Sequence, residues 1–442
     1  MWVWSIMRMR LVLPAAAVVL AACGTTTDDE ADGDGASAAL GDDGAVVDEA
    51  DQETGEETGD ESGEAGSAAT LVYAPEVVAT EAIESSAREA VPSGLETFRD
   101  PIAELPEPAI DLSRLRSGGP PPDGIPSIDD PVFQTADSAT HLAAEAPVLA
   151  LEIDGDARAY PLEVMVWHEI VNDTVGGVPV AVAYCPLCNS VTVHDRRVEG
   201  RVLDFGVSGL LYNSSLVMYD RQTETLWSHF AGRPLYGELG GAELVDYPAT
   251  IVGFAEWRAA NRDGLVLTRE TGESRQYGVN PYPGYDDVNS DPFLFEGEVD
   301  GRYTAMTRMV GVESADGADA LAFPLLELQE SGVSTGSLGG DDVVAFWVPG
   351  AASALDTFDV ADGVDVGATG VFVAEVDGQE LTFSNDPADP TVILDAETGS
   401  TWNVFGEATS GELAGAQLEQ LVHIDTFWFA WNAFHPDSAV AG

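Results

Sequence analysis

The chain has 442 residues and a formal net charge of −59, with 77 acidic residues against 18 basic ones, all of them arginine. Binding to nucleic acid depends on basic patches, so this balance argues against a nucleic-acid partner. It argues equally against electrostatic adhesion to anionic lipid. From about residue 101 onward the chain is long and apolar enough for a substantial core, and its length suggests two domains.

The N-terminus has the features of a secretory signal peptide. Arg8 and Arg10 precede an apolar run that ends in Leu20-Ala21-Ala22-Cys23. The run is shorter than the roughly 20 residues that a membrane-spanning helix needs, so residues 1–23 are expected to be a signal peptide. Its ending resembles the bacterial lipobox, in which the cysteine carries lipid. We therefore expect an extracytoplasmic protein that is held to the cell membrane through a lipid on Cys23.

An acidic segment follows the cysteine. Residues 24–70 hold sixteen acidic residues and no basic one, among Gly, Ala, Ser and Thr. Such a segment cannot bury enough apolar surface to offset its ordering entropy, and its like charges keep it extended. We therefore expect a disordered tether over residues 24–100, followed by a lead-in over residues 101–146.

The remaining sequence contains a degenerate internal repeat. The pattern Asp220-x-x-Thr223-x-x-x-Trp227 recurs as Asp395-x-x-Thr398-x-x-x-Trp402, and other landmarks recur in the same order. This predicts two tandem copies of one unit, over residues 147–267 and 308–440, joined by a connector over residues 268–307.

Each copy is predicted to be β-rich. Extended runs on both sides of Gly176-Gly177 predict a β-hairpin. Short helices are predicted over residues 161–167, where a proline suits the first helical position, and over residues 253–260. The sequence therefore predicts a mainly β, α+β protein with a few short helices, in which two degenerate copies pack together.

The first copy holds the residues with the most obvious chemistry, Cys185 and Cys188. Once Cys23 is lipidated, they are the only thiols left in the chain. A spacing of two residues lets both sulfurs face one point, where they suit a soft ion, Cu(I) or Zn(II). The leading nitrogen ligand is His168, which is expected on the strand that enters the same hairpin.

Two further side chains are weaker candidates for this site. His194 is the other imidazole near the cysteines along the chain, and Glu169 is a possible fourth ligand or a partner of a ligand. The second copy has Val348 and Ala351 at the positions of the two cysteines and Ser331 at the position of His168. This difference between the copies predicts that any reaction or metal binding takes place in the first copy.

Two other functions for Cys185 and Cys188 stay open from the sequence. Cys-Pro-x-Cys is similar to the glutaredoxin active site, which favours thiol–disulfide exchange, although an extended segment rather than a helix is predicted after Cys188. Alternatively, a structural disulfide shapes a module that binds an unknown small molecule or protein partner. A disulfide over so short a loop stabilises the fold little through chain entropy, which weakens its purely structural use.

Four blocks of the sequence resemble a family known as domain-of-unknown-function family 3179, over residues 123–440. The blocks are Trp167-His168-Glu169-Ile170-Val171-Asn172-Asp173, Tyr184-Cys185-Pro186-Leu187-Cys188-Asn189-Ser190, Gly206-Val207-Ser208-Gly209-Leu210 followed by Asp220-Arg221, and Asn280-Pro281-Tyr282-Pro283-Gly284-Tyr285-Asp286. The resemblance implies a secreted protein and supplies no reaction. The expected chemistry therefore depends on the residues alone.

Overall fold

A computed structural model describes residues 105–386 and 388–441 of the chain. The predicted signal peptide, the predicted lipidation site Cys23 and the predicted tether up to residue 100 lie outside the described residues. The described part consists mostly of β-strands, with four α-helices of seven residues each. The predicted fold class, mainly β with a few short helices, is confirmed. Within this part of the chain, no helix has the length and apolar character needed to cross a membrane.

The elements up to residue 267 include the two helices predicted from the sequence. In chain order they are β1 Arg116–Ser117, β2 Phe133–Thr135, β3 Pro147–Ile153, β4 Asp156–Pro161, α1 Leu162–His168, β5 Ile170–Val175, β6 Val178–Cys185, β7 Ser190–Asp195, β8 Arg197–Val198, β9 Arg201–Val202, β10 Phe205–Tyr212, β11 Ser215–Asp220, β12 Leu226–Ser228, β13 Pro234–Tyr236, β14 Thr250–Gly253, α2 Phe254–Ala260 and β15 Leu265–Leu267. Residues 147–267 are called the first half below.

The second half, residues 308–440, follows a connector without α-helix or β-strand. Its elements are β16 Arg308–Glu313, β17 Ala320–Pro324, α3 Leu325–Ser331, β18 Val333–Leu338, β19 Asp341–Val348, β20 Ala368–Val373, β21 Glu375–Val376, β22 Gln379–Glu380, β23 Phe383–Asp386, β24 Asp389–Asp395, β25 Thr401–Trp402, β26 Ala408–Ser410, β27 His423–Phe427, α4 Trp428–Phe434 and β28 Ala439–Val440. Short 3₁₀ turns add Leu112–Arg114, Ala136–Ser138 and Val360–Asp362.

The strands pair in the same manner in both halves. The first half has sheets β14-β3-β4-β15, β5-β6-β7, β8-β9 and β10-β11-β12-β13, extended at two edges by β2 and β1 from the lead-in. The second half has sheets β27-β16-β17-β28, β18-β19-β20, β21-β22 and β23-β24-β25-β26. This shared order agrees with the repeat in the sequence, whereas a duplication as its origin stays a prediction.

One hydrogen-bonded turn illustrates the likeness at the level of atoms. Asp220 accepts a hydrogen bond from the backbone amide of Thr223 at 2.6 Å and from the indole Nε1 of Trp227 at 3.0 Å. Asp395 accepts hydrogen bonds of 2.6 Å and 3.0 Å from Thr398 and Trp402 in the same way. Both tryptophans are buried, so each aspartate satisfies an indole that would otherwise lose its hydrogen bond to water.

The hairpin of β5 and β6 sets the position of the cysteines. Gly176 and Gly177 have φ angles of 55° and 80°, the region that a two-residue hairpin turn of this type requires and that glycine adopts without steric cost. The register pairs Ile170 with Ala183, which brings the start of β5 beside the end of β6. Only Glu169 separates α1 from β5, and its carbonyl oxygen accepts a hydrogen bond of 2.8 Å from the amide of Tyr184, the residue before Cys185.

The core around the cysteines is shared between the two halves. Cys185 and Cys188 belong to one buried apolar cluster with Trp227 of the first half and Phe427 and Trp431 of the second. The backbone carbonyl of Cys188 accepts hydrogen bonds from the Thr426 hydroxyl at 2.9 Å and the Phe427 amide at 3.1 Å. The second half therefore fixes the backbone of Cys188.

Candidate functional site

The two cysteines lie at the tip of the hairpin formed by β6 and β7. Cys185 ends β6 and pairs in register with Ser190, the first residue of β7. Residues 186–189, called the cysteine turn below, connect β6 to β7 and include Cys188. Both thiols are free, and 1% of Cys185 and none of Cys188 is exposed. The segment after the turn is a strand, as predicted, so no helix begins directly after Cys188.

The surroundings of the two thiols shift their pKa values in opposite directions. Burial raises the pKa of Cys185 well above its usual value, and a hydrogen bond to the Cys188 sulfur adds to this effect. Burial also opposes ionisation of Cys188, yet the hydrogen bonds it receives from Cys185, Ser190 and Ser215 bring its pKa below the usual value. The Sγ–Oγ distances from Cys188 to these serines are 2.9 Å and 3.5 Å. Cys188 is therefore the sulfur that ionises first, while Cys185 keeps its proton.

Glu169 is a buried carboxyl group beside this pair. Only 7% of the residue is exposed, and burial followed by the charge of Cys188 raises its pKa to about 8. Among the described residues no hydrogen bond to its carboxylate is formed. Its φ is 60°, a left-handed conformation that costs a residue with a Cβ about 1–2 kcal/mol.

The second half shows that the fold does not need a carboxylate at this position. Glu169 caps the C-terminus of α1 through its amide, which donates to Met165 at 2.7 Å. Gly332 caps α3 with φ 69° and a hydrogen bond of the same length to Leu328. A glycine fills this role without strain and without a buried carboxyl group, whereas Glu169 brings both. Strained, buried polar residues of this kind are typical of functional sites.

The position of His168 differs from the prediction. It is the last residue of α1 and does not lie on the strand that enters the hairpin, so the predicted placement was wrong. Its Nδ1 lies 2.7 Å from the Pro126 carbonyl oxygen and its Nε2 lies 2.7 Å from the Tyr277 hydroxyl. Both ring nitrogens are thus occupied by the lead-in and the connector, and neither is directed at a sulfur.

His194 is also engaged elsewhere. Its Nε2 donates a hydrogen bond of 3.0 Å to the backbone carbonyl of His229, and its Nδ1 pairs with a carboxylate oxygen of Asp246. The described residues contain no group of three or more His, Cys, Asp or Glu side chains that could hold a metal ion. The ligand set predicted from the sequence, Cys185 and Cys188 with His168, is therefore not assembled, because packing assigns each imidazole to another partner.

The imidazole that does connect to the thiols is His229, for which the sequence alone predicts no partner. Its Nε2 lies 2.8 Å from the Ser190 hydroxyl, which itself contacts Cys188, and its Nδ1 lies 2.9 Å from the Thr192 hydroxyl. Burial, followed by the charge of His194, lowers the pKa of His229 to about 3. The ring is therefore neutral at physiological pH.

The sequence contains a pattern that indicates this network. Ser190 and Thr192 alternate along β7 and so share one face of the strand. Their register counterparts in the second half are Ala368 and Gly370 of β20. His229 stands two residues after Trp227, and Val404 stands two residues after Trp402. All three polar groups are thus replaced by apolar ones, the same contrast that singled out the cysteines.

A loop of the connector covers the cysteine turn. The Tyr285 hydroxyl donates to the Leu187 carbonyl oxygen at 2.9 Å and accepts from the Phe293 amide at 3.1 Å. Tyr282 packs on the same apolar cluster. Burial raises the pKa of both tyrosines, with a further effect of nearby Glu169 on Tyr282 and of Cys185 on both. This loop of the predicted connector therefore also covers the site, and it is called the roof below.

Comparison with known proteins gives one match. The family described as "Protein of unknown function (DUF3179)" matches residues 122–438, which confirms the resemblance seen in the sequence. No curated protein and no solved structure matches the chain.

Proposed function

Because the chain belongs to the DUF3179 family, whose description names no reaction, we propose from its own residues that it is a thiol–disulfide exchange protein. The observation that carries the proposal is a pair of free, buried thiols two residues apart, in which the Ser190 and Ser215 hydroxyls lie 2.9 Å and 3.5 Å from the Cys188 sulfur and favour its thiolate over that of Cys185. A thiolate is the nucleophile in exchange, and a protonated neighbour that stabilises it is what a resolving cysteine provides.

The proposed reaction transfers two electrons to a small disulfide. The Cys188 thiolate attacks one sulfur of the disulfide, so that a mixed disulfide forms, the substrate S–S bond breaks and one thiolate leaves. Cys185 then loses its proton and attacks the Cys188 sulfur, which closes the Cys185–Cys188 bond and releases the second thiolate. The two protons of the protein thiols end on the two product thiols. Small thiols reverse the reaction and reduce the protein again.

In this proposal Glu169 transfers one of these protons. A carboxyl group with a pKa of about 8 is protonated at neutral pH, so it does not oppose the Cys188 thiolate with a second negative charge. In its neutral form it donates a proton to the leaving thiolate, and it is reprotonated by Cys185 as that residue ionises. This is general acid–base chemistry by a carboxyl group whose pKa lies near the working pH.

The enclosure of the site restricts the substrate. With at most 1% of either cysteine exposed and with Tyr285 bonded across the cysteine turn, a folded protein surface has no access to the sulfurs. The proposed substrates are therefore low-molecular-weight disulfides and thiols. The lipobox-like ending at Cys23 adds the proposal that exchange takes place outside the cytoplasm at the membrane, where disulfides persist.

The test uses the full chain with Cys23→Ser, so that only two thiols remain. The protein is equilibrated with 2-mercaptoethanol and its disulfide over a series of ratios, quenched with acid and alkylated after unfolding for mass spectrometry. The two thiols are expected to disappear together, and Cys185→Ser is expected to stop at a mixed disulfide on Cys188. Two thiols that stay reduced at every ratio would overturn the proposal, as would equal reactivity of Cys185 in a Cys188→Ser chain.

A further inference from the structure

A continuous chain of hydrogen bonds leads away from the Cys188 sulfur. The Sγ atom of Cys188 lies 2.9 Å from the Ser190 hydroxyl, which lies 2.8 Å from Nε2 of His229. On the other side of the ring, Nδ1 of His229 lies 2.9 Å from the Thr192 hydroxyl. All four side chains are buried, with 8% of Thr192 exposed and none of Cys188, Ser190 or His229. While the roof over the cysteine turn stays closed, no bulk water reaches the sulfur to take its proton.

We propose that Ser190, His229 and Thr192 form a proton relay that carries the proton of the Cys188 thiol to a small cavity lined by Thr192. The relay deepens the proposed exchange reaction and depends on it for its purpose, because that reaction requires Cys188 to ionise in a site closed to solvent. The relay affects the rate at which the proton leaves the Cys188 sulfur and returns to it. The position of the ionisation equilibrium is set by the hydrogen bonds to the sulfur.

The relay works through the two neutral tautomers of His229. With Cys188 protonated, the thiol donates to Ser190, the Ser190 hydroxyl donates to Nε2, and Nδ1–H donates to Thr192. When each proton moves one link onward, Nε2 gains a hydrogen and Nδ1 loses one, so that Ser190 then donates to the thiolate. The Thr192 hydroxyl accepts the proton of Nδ1 and gives its own to the cavity. One proton leaves the sulfur and one enters the cavity, and the ring of His229 is neutral both before and after the transfer.

The low pKa of His229, about 3 through burial and the charge of His194, agrees with this neutral route. A stepwise route through an imidazolium would place a charge in a fully buried ring, which the same burial opposes. The other titratable groups around the relay are Cys185 and Glu169 at the sulfur, His194 at the His229 carbonyl, and Asp246, Tyr247 and His423 at the cavity. None of them lies between the sulfur and Thr192.

The cavity offers a suitable acceptor site. It has a volume of about 10 Å³, at the low end of what one water molecule occupies, and lies between β7 and β27. Thr192, Asp246 and His423 are among its lining residues. Nε2 of His423 is buried without a hydrogen-bond partner among the described residues. The other lining residues are mostly apolar, and these three polar side chains suit a single water molecule, which takes a proton from Thr192 and passes it on.

The second half provides an internal control for the argument. Its counterparts of Ser190, Thr192 and His229 are alanine, glycine and valine, and the counterparts of the cysteines are also apolar. The same strand pairing forms there without any of these polar groups, so the fold does not require them. Burying two hydroxyls and an imidazole is unfavourable unless each is hydrogen-bonded. Their occurrence only where the thiols occur links them to the chemistry of Cys188.

The test measures proton removal directly in the full chain. After a rapid jump from acid to alkaline pH, thiolate formation is followed by its ultraviolet absorbance, with the signal of the same chain carrying Cys188→Ser subtracted. Thr192→Val replaces the terminal hydroxyl of the relay by a methyl group of similar size. Thr192→Ser keeps the hydroxyl. The matched control is Thr250→Val, which removes another buried threonine hydroxyl, one that donates to the Thr369 carbonyl outside the relay.

Thr192→Val is expected to slow thiolate formation by about tenfold or more, equivalent to a barrier higher by about 1.4 kcal/mol, at an unchanged final amplitude. Thr192→Ser and Thr250→Val are expected to react at the wild-type rate, and His229→Gln is expected to be as slow as Thr192→Val. A wild-type rate in Thr192→Val would overturn the relay. Failure of the exchange reaction would appear separately in the 2-mercaptoethanol titration, because the pH jump uses no disulfide.

Discussion

The raised pKa of Glu169 has a consequence for stability that a single substitution tests. Its pKa is about 8 in the folded chain, against an ordinary value of 4.5. Between these values the folded state holds a proton that the unfolded state has lost, so the free energy of unfolding falls as pH rises. At 1.36 kcal/mol per pKa unit the full loss amounts to about 5 kcal/mol, present in full below pH 4.5 and lost as pH rises through about 8.

Glu169→Gln keeps the size and polarity of the side chain and removes its ionisation. We expect this variant and the wild type to have similar unfolding free energies in acid, and the variant to become more stable by up to about 5 kcal/mol at alkaline pH. Urea unfolding at a series of pH values measures the difference.

The matched control for this experiment is Glu152→Gln, which removes an exposed carboxylate from β3. Substitutions at exposed positions usually change stability by no more than about 0.5 kcal/mol, so no comparable pH dependence is expected. Parallel stability curves for wild type and Glu169→Gln between acid and alkaline pH would refute the reasoning. They would mean that the carboxylate of Glu169 is solvated in the folded chain.

Three further outcomes are expected. In native mass spectrometry the reduced chain is expected not to bind Zn(II) stoichiometrically, because His168 is held elsewhere; one zinc per chain, lost on Cys188→Ser, would restore the metal hypothesis. Tyr285→Phe removes the hydrogen bonds that hold the roof on the cysteine turn and is expected to speed alkylation of Cys188 by iodoacetamide severalfold, whereas an unchanged rate would show that the roof does not limit access. Asp220→Ala leaves the buried indole of Trp227 unpaired and is expected to lower the unfolding free energy by about 2–4 kcal/mol in urea titrations; a loss below about 1 kcal/mol would contradict this reading.

Patterns within the sequence determined the family, the fold class and several local structures. The Gly-Gly hairpin, the helices α1 and α2, and the strand that follows the cysteines all depend on local rules of turn chemistry and side-chain alternation, and they formed as predicted. The contrast between the two halves directed attention to Cys185 and Cys188, because the loss of a polar residue within a repeated pattern can be read without coordinates.

Which side chains contact these cysteines was decided by the tertiary structure. Distance along the chain suggested His168 and His194, but the lead-in and the connector bind the first and Asp246 binds the second. His229, more than forty residues beyond Cys188, reaches the site because β11 and β12 bring it there. The pKa values of Glu169 and the thiols depend in the same way on burial, which arises only when both halves and the connector close around the turn. Long-range packing, unlike local turn chemistry, leaves no signature within a single stretch of sequence.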